Sequence, residues 1–469
     1  MKTLVPPLLR RISSDEVPPL PWAEPDRRAL AQLSEELPTA ANRLSLEAPA
    51  YALDRRGTAA TLRAIDAAHG GGFFAVPEAA LSDPEAAAEA FRGRAPVVDV
   101  QTHLVDPRRF SGAGADALAG FLRMVDPERW RDGVDARRID AAAWAALVFG
   151  SSETAVALLT STPGPGSENV LTNRQIAAAR EVAERYAGSG RVLTHSIVHP
   201  NLGEAELDAM EGWRDALRPS GWKCYTLWGP PTKASPEGGW FLDDHEIGFP
   251  FLERVRKLGP RVLATHKGLG GPIPEVSVPA ASPRDIGPAA AAFPEIAFLV
   301  YHSGYERDPR RSEGPYQPEA PEPAGVDRLV RSLARAGVGV GGNVYAELGS
   351  TWFLMLRRPV EAAHVLGKLL VAVGPERIVW GTDSIWYGSP QPLIDAFRAF
   401  QIPEAMQARF GYPPLTADAK ERILSWNARA VYGIAPEAIA RAASRADEWA
   451  EPAAEELRRA ITAAGDGAA

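Results

Sequence analysis

The feature that most constrains this chain is an alternation of short apolar runs with amphipathic stretches, which continues from residue 96 to residue 400. The runs have the length of buried β-strands, and most of the stretches between them have the apolar periodicity of helices. Strands that alternate with helices predict a parallel sheet, and eight repeats favour a closed barrel over an open, doubly wound sheet. We therefore predict an α/β fold of the (β/α)8 TIM barrel class, with an N-terminal extension and C-terminal helices. The predicted strands are residues 97–103, 154–159, 192–198, 222–227, 262–266, 296–302, 338–348 and 378–383.

The alternation divides the 469-residue chain into three parts. Residues 1–95 start with a proline-rich piece and continue with helical patterns, and they contain no cluster of chemically reactive side chains, so we predict a helical cap. Residues 96–435 form the predicted barrel, and residues 436–469 form a charged, alanine-rich helical tail. Single barrels with extensions reach this length, so the chain length does not require several domains.

Two long insertions follow predicted strands. Residues 228–244 follow the fourth strand and residues 304–324 follow the sixth, and both mix aromatic residues with proline and glycine. Loops that follow the strands lie at the catalytic face of a barrel, where long loops usually carry function. We therefore predict that both insertions cover the substrate, and the alternative is that they are plain surface loops.

Charge and cysteine content limit the partners and the compartment. A formal net charge of −8 argues against a nucleic-acid partner, since such a partner usually needs a basic face. The only cysteine is Cys224, so no intramolecular disulfide forms, which fits a reducing compartment. The first apolar run is broken by Pro6 and Pro7, and no apolar stretch reaches about 18 residues. The sequence therefore predicts neither a signal peptide nor a membrane span, and it favours the cytoplasm.

Four of the eight histidines end or closely follow predicted strands. Side chains at the carboxyl ends of barrel strands converge on one pocket. A single histidine at such a position is usually structural, but four at equivalent strand ends indicate a divalent metal site. Alternation along the first strand also places Gln101 on the same face as the first of these histidines. The four are His103, His199, His266 and His302.

Three charged residues stand on other predicted strands. Lys223 lies in WKCYT on the fourth strand, Glu347 ends the seventh in NVYAELGS, and Asp383 ends the eighth in IVWGTDSIWYGSPQ. A divalent ion lowers the pKa of bound water towards about 7, and an adjacent carboxylate can orient that water and accept its proton. Glu347 is either an extra carboxylate ligand or a hydrogen-bond acceptor that orients a neighbour. His199 is either a ligand or a pocket residue.

The order of these residues resembles the amidohydrolase superfamily, and more narrowly its amidohydrolase-related branch, which includes decarboxylases. The usual set of the superfamily is His-x-His on strand one, often a lysine on strand four, histidines on strands five and six, and an aspartate on strand eight. The matching stretches are VVDVQTH, WKCYT, LATHKGLG, LVYHSGYE and IVWGTDSIWYGSPQ, while NVYAELGSTW, HVLGKLL and NARAVYGI are typical of one bacterial subgroup. The resemblance covers about residues 96–435.

The resemblance implies a role for each matching residue. His103 and His266 would bind metal through neutral imidazole nitrogens, and Asp383 would bind metal and take the proton from the attacking water. His302 would bind a second metal, act as an acid or hold the substrate oxygen. Lys223 would bridge two metals as a carbamate, hold a substrate carboxylate or Asp383 as an ammonium, or form a structural salt bridge. The implied cofactor is one or two divalent ions of zinc, iron or manganese.

One position departs from the pattern of the superfamily. Gln101 occupies the place of the first histidine in His-x-His. A glutamine carbonyl oxygen is a weaker and harder ligand than an imidazole nitrogen. We therefore expect the first metal position to be depleted, or to suit a metal other than the zinc of an ordinary hydrolase.

Three functions follow from these features. The first is a metal-dependent hydrolase that attacks a C–N or C–O bond of a small organic substrate, with decarboxylation or hydration as close variants. The second is a non-haem iron oxygenase on the same barrel, because Gln101 and Glu347 would make a mixed oxygen and nitrogen site. The third is a binding protein without catalysis, which only Gln101 supports. Aromatic residues in the loops favour a bulky or apolar small molecule, and the barrel is compatible with a homodimer.

Overall fold

The computed structural model of the chain describes all eight predicted strands and most of the residues around them. Of the two predicted insertions, residues 231–235 and 307–311 lie outside the described part of the chain. The described ranges are residues 4–13, 18–110, 115–162, 170–230, 236–269, 279–306, 312–444 and 448–466.

Eight parallel strands form one sheet, and their order in space is their order in the chain. Each strand pairs in parallel with the next, from Val97 opposite Thr154 in the first pair to Glu347 opposite Val379 in the last. The strands are almost entirely buried, as is usual where helices cover the outside of a barrel and side chains fill its inside. This arrangement confirms the predicted (β/α)8 barrel. The strands are β1 (Val97–Thr102), β2 (Thr154–Leu159), β3 (Val192–Ile197), β4 (Gly221–Tyr225), β5 (Val262–His266), β6 (Ala297–Tyr301), β7 (Val344–Glu347) and β8 (Ile378–Val379).

Hydrogen bonds between β1 and the segment after β8 close the barrel. The Asp383 amide donates to the Gln101 carbonyl at 2.8 Å, and the His103 amide donates to the Ser384 carbonyl at 2.6 Å. These bonds fix the end of the last strand beside the end of the first. The closure therefore sets the backbone of Gln101 and His103 next to that of Asp383, although about 280 residues separate them in the chain.

The extension before β1 is helical, as its periodicity predicts. The third helix begins after Asp54, whose carboxylate accepts from the amides of Arg56 and Gly57. Leu62 of the same helix is buried in one hydrophobic core with Phe397 of the barrel, so the extension packs on the barrel. The four helices are α1 (Glu24–Arg43), α2 (Ala48–Leu53), α3 (Arg55–Ala68) and α4 (Pro84–Ala90).

Helices follow the strands and cover the barrel. Thr172 and Gln175 form a capping box at the start of the helix after β2, and Gly337, with a φ of 69°, ends the helix after β6. No helix in the described ranges is long and apolar enough to cross a membrane. The barrel helices are α5 (Ala115–Val125), α6 (Ala141–Val148), α7 (Asn173–Ala187), α8 (Glu204–Leu217), α9 (Gly248–Leu258), α10 (Ile286–Ala292), α11 (Val326–Ala336), α12 (Thr351–Met355), α13 (Pro359–Ala372) and α14 (Gln391–Ala399). The later helices are α15 (Glu404–Phe410), α16 (Ala417–Glu421), α17 (Asn427–Tyr432), α18 (Pro436–Ser444) and α19 (Ala450–Asp466).

The seventh and eighth predicted strands are much longer than the observed ones, whereas the bounds of the others differ by at most two residues. β7 starts at Val344 rather than at residue 338, because residues 338–343 form glycine-rich turns, with a φ of 80° at Gly341. β8 ends at Val379 rather than at residue 383. Apolar patterning reports which residues are buried, whereas a strand ends where its ladder of hydrogen bonds ends, so the predicted runs extend past the ladder.

Candidate metal centre

Asp383 and His103 meet at the carboxyl end of the barrel. Nε2 of His103 lies 3.0 Å from Oδ1 of Asp383, and both side chains are fully buried. The side-chain nitrogen Nε2 of Gln101 donates to the same oxygen at 3.2 Å. The structure therefore brings together three of the predicted site residues on a single carboxylate oxygen.

In three histidines of the site, one ring nitrogen lies within hydrogen-bond distance of a backbone carbonyl oxygen. The contacts are His103 Nδ1 to Thr160 O at 3.0 Å, His302 Nδ1 to Gly349 O at 2.6 Å and His266 Nε2 to Gly268 O at 3.2 Å. A carbonyl oxygen only accepts hydrogen bonds, so these ring nitrogens carry the protons. When neutral, each ring therefore presents an unprotonated nitrogen to the site. Histidines that bind metal usually have this arrangement, with the second nitrogen on a carbonyl or carboxylate.

The unprotonated nitrogens of two of these rings face each other. Nδ1 of His266 lies 3.2 Å from Nε2 of His302. Burial lowers the pKa of His266 well below its usual value, and the neighbouring charges of His302 and Lys223 lower it further. Burial also lowers the pKa of His302 to about 4, although the charge of Asp383 opposes the change. Both rings are neutral at pH 7, and their facing lone pairs repel each other unless a cation accepts them, which fits a metal ion.

Gln101 contributes an amide oxygen to the site. Its Oε1 is buried and has no hydrogen-bond partner within the described part of the chain. A Cβ atom on Gly349 would lie 2.2 Å from this oxygen, so the amide occupies its position only because residue 349 is glycine. Amide oxygens are ligands of divalent cations. Gln101, which occupies the place of the first histidine, therefore still offers an atom that can bind a metal ion, an oxygen in place of a nitrogen.

The carboxylate of Asp383 is held in its ionised form. Burial by itself raises the pKa of this carboxyl group. The protonated form of His103, which donates a hydrogen bond, the protonated form of His302 and the hydroxyl of Ser350 outweigh burial and bring the pKa to about 2. The Ser350 hydroxyl donates to Oδ2, the oxygen opposite the one that His103 contacts. Asp383 is therefore available at neutral pH as an anionic ligand or as a base.

Non-glycine residues with positive φ are concentrated at this site. The φ angles are 67° at His302, 53° at Ser303, 54° at Ser350 and 58° at Asp383. Such conformations cost of order 1–3 kcal/mol each, and they persist where the surrounding structure holds them in place. Strain of this kind is common at functional sites, and here it turns the side chains of two predicted site residues, His302 and Asp383, into the barrel mouth.

Glu347 holds the backbone beside His302. Its Oε2 accepts from the His302 amide at 3.0 Å, and its Oε1 accepts from the Gly349 amide at 2.5 Å. The Ser303 hydroxyl donates to the Glu347 carbonyl at 2.7 Å. Burial raises the pKa of Glu347 to about 8, although both amides oppose the change. Of the two roles predicted for Glu347, these contacts favour the acceptor that orients a neighbour over the metal ligand.

Lys223 lies between aromatic rings in the barrel interior. Its Nζ is 3.5 Å from the centre of the Tyr301 ring and 4.8 Å from that of the Tyr225 ring. The Tyr225 ring stacks on His266, with 4.8 Å between the ring centres. An ammonium group over the faces of aromatic rings gains a cation–π interaction. Among the forms predicted for Lys223, these rings favour the ammonium.

His199 lies two residues beyond the end of β3. It precedes the short 3-10 helix Pro200–Leu202, and its amide donates to Glu206 at 3.0 Å. Burial lowers the pKa of His199 to about 4. Its role as a ligand or a pocket residue stays a prediction.

The donor atoms are held in pairs rather than around a common centre. Among the described residues, no group of three or more histidine, cysteine, aspartate or glutamate side chains is arranged to hold a metal ion. The chemistry of the donors nevertheless fits a divalent cation, because it offers three imidazole nitrogens, a carboxylate and an amide oxygen. An ion would replace the direct contacts between His103 and Asp383 and between His266 and His302.

Ser350 and Tyr387 lie at the site but are not among the residues predicted for it. Ser350 contacts Asp383, and its Oγ lies 2.6 Å from the hydroxyl oxygen of Tyr387. Both stand in stretches that carry the family resemblance, NVYAELGSTW and IVWGTDSIWYGSPQ, but serine and tyrosine are common residues and neither stretch marks them as partners of Asp383. Position is the available signal, because both lie just after strands, where barrel loops converge on the site.

Comparison with known proteins yields one family and several distant structural likenesses. A family model described as amidohydrolase matches residues 98–434. None of the curated proteins compared with the chain matches it. Among solved structures, 2,6-dihydroxybenzoate decarboxylase from Rhizobium is 15% identical over 72% of this chain and 99% of its own, with a TM-score of 0.40. A 5-carboxyvanillate decarboxylase from Novosphingobium aromaticivorans, complexed with manganese and 4-hydroxy-3-methoxy-5-nitrobenzoic acid, is 13% identical over 74% of this chain and 97% of its own, with a TM-score of 0.41. Amidohydrolase 2 from Bifidobacterium longum subsp. infantis is 14% identical over 72% and 99%, with a TM-score of 0.35.

Proposed function

Because the chain belongs to the amidohydrolase family, we propose that it is a metal-dependent hydrolase that acts on a C–N or C–O bond of a small organic substrate. One observation carries the proposal: three buried histidines each place one ring nitrogen on a backbone carbonyl and turn the other towards the site. The proposed ligands are the imidazoles of His103, His266 and His302, Oδ1 of Asp383 and Oε1 of Gln101.

The proposed reaction needs an activated water and a proton acceptor beside it. When bound, a divalent ion supplies Lewis acidity, which lowers the pKa of water towards about 7 and polarises a substrate oxygen. Asp383 is ionised and fixed by Ser350, so it can orient the water and accept its proton. Nζ of Lys223 lies over the rings of Tyr301 and Tyr225, and the Tyr225 ring stacks on His266, so this ammonium is proposed to stabilise negative charge on the substrate.

Metal binding tests the proposal directly. The protein, stripped of metal by a chelator, is expected to bind about one divalent ion per chain when titrated with Mn²⁺ or Zn²⁺. His103→Ala and Asp383→Asn are each expected to weaken this binding by a factor of about 10 or more, because each removes a proposed ligand. Unchanged affinity in Asp383→Asn would contradict the proposal.

The chain offers a matched control for the histidine variant. His364 is also buried, but it lies in α13 rather than at a strand end, and its Nδ1 is 2.9 Å from the Tyr412 hydroxyl. His364→Gln is therefore expected to leave the metal affinity unchanged. Hydrolysis of a panel of amides and esters is expected to disappear when the metal is removed and to return when it is restored.

Decarboxylation is a second candidate, which the position of Lys223 favours. An ammonium between the rings of Tyr225 and Tyr301, close to His266, offers both a charge and an apolar surface to an aromatic carboxylate. Release of carbon dioxide from aromatic acids, measured on the same metal-loaded sample as amide and ester hydrolysis, distinguishes the two reactions. Carbon dioxide release without hydrolysis would replace the first proposal with the second.

The other two predicted functions have their own outcomes in the same experiments. About two irons per chain, with oxygen uptake that depends on substrate, would support the oxygenase. Equal turnover without oxygen would exclude it. A chain that holds no metal after reconstitution, and that binds its small molecule equally well as Asp383→Asn, would be a binding protein.

A further inference from the structure

Asp383 is linked through Ser350 to a tyrosine. The Ser350 hydroxyl donates to Oδ2 of Asp383, and its oxygen lies 2.6 Å from the hydroxyl oxygen of Tyr387. A serine hydroxyl has one proton, which the carboxylate takes, so Tyr387 must be the donor in the second contact. The hydrogen bonds therefore run in one direction, from Tyr387 to Ser350 to Asp383.

Packing holds Tyr387 in place. Its ring is stacked on that of Phe353, with 4.0 Å between the ring centres and 25° between the planes, and each residue is only 6% exposed. The preceding residue, Trp386, stacks on His103 with 6.4 Å between the ring centres. Two consecutive aromatic residues thus lie against the two sides of the Asp383 carboxylate, one through His103 and one through Ser350.

The two carboxylate oxygens of Asp383 have different partners. Oδ1 faces His103 and Gln101, whereas Oδ2 accepts from Ser350. The carboxylate cannot rotate without losing contacts on both sides. Ser350 itself has a φ of 54° and a ψ of −41°, a conformation that only strong local contacts maintain in a residue other than glycine.

We propose that Ser350 and Tyr387 are positioning residues that hold Oδ2 of Asp383, so that Oδ1 is the oxygen presented to the metal. This inference rests on the proposed function, since it concerns the same site. The hydroxyl of Tyr387 reaches the carboxylate by way of the serine oxygen, so the inference assigns its effect on Asp383 to the contact with Ser350. On this inference, removing the tyrosine hydroxyl loosens Asp383 only while the serine hydroxyl is present.

The affinity for Mn²⁺ tests the inference. Tyr387→Phe keeps the ring on Phe353 and removes only the hydroxyl, and Ser350→Ala removes the other hydroxyl. Each is expected to weaken Mn²⁺ binding about 10- to 100-fold, the usual effect of losing a group that orients a ligand. Ser350→Gly adopts a positive φ without strain and serves as a second serine variant if Ser350→Ala folds poorly. Tyr412→Phe is the matched control, since Tyr412 is an equally buried tyrosine that bonds to His364, and it is expected to bind Mn²⁺ as the wild type does.

The double variant Ser350→Ala/Tyr387→Phe separates positioning from general damage. It is expected to bind Mn²⁺ no more weakly than Ser350→Ala alone, whereas two independent structural effects would multiply. Multiplied losses, or wild-type affinity in both single variants, would overturn the inference and leave the proposed function standing. If the wild type binds no Mn²⁺, the proposed function fails, and this inference fails with it.

Discussion

Backbone carbonyls orient the three histidines of the proposed metal centre. Each carbonyl accepts from one ring nitrogen, which fixes both the rotation of the ring and the position of its proton. Two of the three carbonyls belong to glycines, Gly268 and Gly349. At Gly349 a Cβ atom would collide with Gln101, so this glycine serves two site residues at once. At the scale of single residues, therefore, the site depends on small residues as much as on its ligands.

Gln101→His tests which metal the first ligand position selects. An imidazole nitrogen suits Zn²⁺ better than an amide oxygen does, so this variant is expected to shift the ratio of Zn²⁺ to Mn²⁺ affinity towards Zn²⁺ by about tenfold or more. Gln101→Leu, which has a similar size and no donor atom, is expected to weaken the binding of both ions. Competition titrations with the two metals give the ratio. An identical ratio in the wild type and in Gln101→His would show that Gln101 is not a ligand.

At the scale of elements, one buried ion pair lies in the segment that follows β5, and a hydrogen bond connects it to the segment that follows β4. Nζ of Lys267, the residue directly after β5, lies 2.8 Å from Oδ2 of Asp285 and 3.0 Å from the carbonyl oxygen of Ala280. Both charged side chains are fully buried. The same oxygen of Asp285 accepts from the Leu242 amide at 2.7 Å. The pair therefore fixes two loops at the carboxyl ends of the strands, next to His266.

Lys267→Met is expected to lower the free energy of unfolding by about 3–5 kcal/mol, because it leaves the Asp285 carboxylate buried without its cation. Lys267→Met/Asp285→Leu is expected to recover much of the loss, since it removes both charges. Urea unfolding measures both. Glu24→Ala, which breaks an exposed pair with Arg27, serves as the control and is expected to cost less than about 1 kcal/mol. A comparably small loss in Lys267→Met would show that this pair is not needed to hold the loops.

At the scale of the whole molecule, ion pairs join the N-terminal helices to the barrel. Nε of Arg55 in α3 lies 3.3 Å from Oδ2 of Asp395 in α14. Arg357, between α12 and α13, lies 3.1 Å from Asp26 in α1. Because α12 directly follows Ser350, the cap supports the side of the site that carries this serine. The N-terminal helices therefore support the surroundings of the proposed metal centre, although their sequence contains no reactive cluster.

Asp395 is expected to make this interface sensitive to pH. Burial raises its pKa from 3.8 to about 6, although Arg55 and Gln391 oppose the change. Between these two pH values the folded state binds more protons at this carboxyl than the unfolded state does. The contribution of Asp395 to the free energy of unfolding therefore falls as the pH rises from about 4 to about 6, and it is constant above that. Asp395→Asn should lack this fall, and relative to the wild type it should gain up to about 3 kcal/mol between pH 4 and pH 7. Urea unfolding at a series of pH values measures the difference, and a constant difference would contradict the assignment.

The alternation of apolar runs and helical stretches was sufficient to predict the barrel. Burial has a different period in strands and in helices, so the pattern is readable residue by residue. Parallel strands of a barrel also point the same way, so His103, His266, His302 and Asp383 could be placed at one face from their positions at strand ends. Their order along the chain identified the family, which the match over residues 98–434 confirms.

Only the tertiary structure decided how these residues are held. The partners of the histidines are backbone carbonyls, which every residue has, and therefore no residue type marks them. Ser350 contacts Asp383 from a loop 33 residues earlier in the chain, and Tyr387 reaches Asp383 by way of that serine. Positive φ angles direct Ser350 and Asp383 in a way that no periodicity predicts. The sequence left two roles open for Glu347, a metal ligand or a hydrogen-bond acceptor that orients a neighbour. The two backbone amides that donate to it favour the second role. The sequence thus determined which side chains lie at the barrel mouth, whereas long-range contacts decided their orientation, because orientation depends on neighbours that meet only after the barrel has closed.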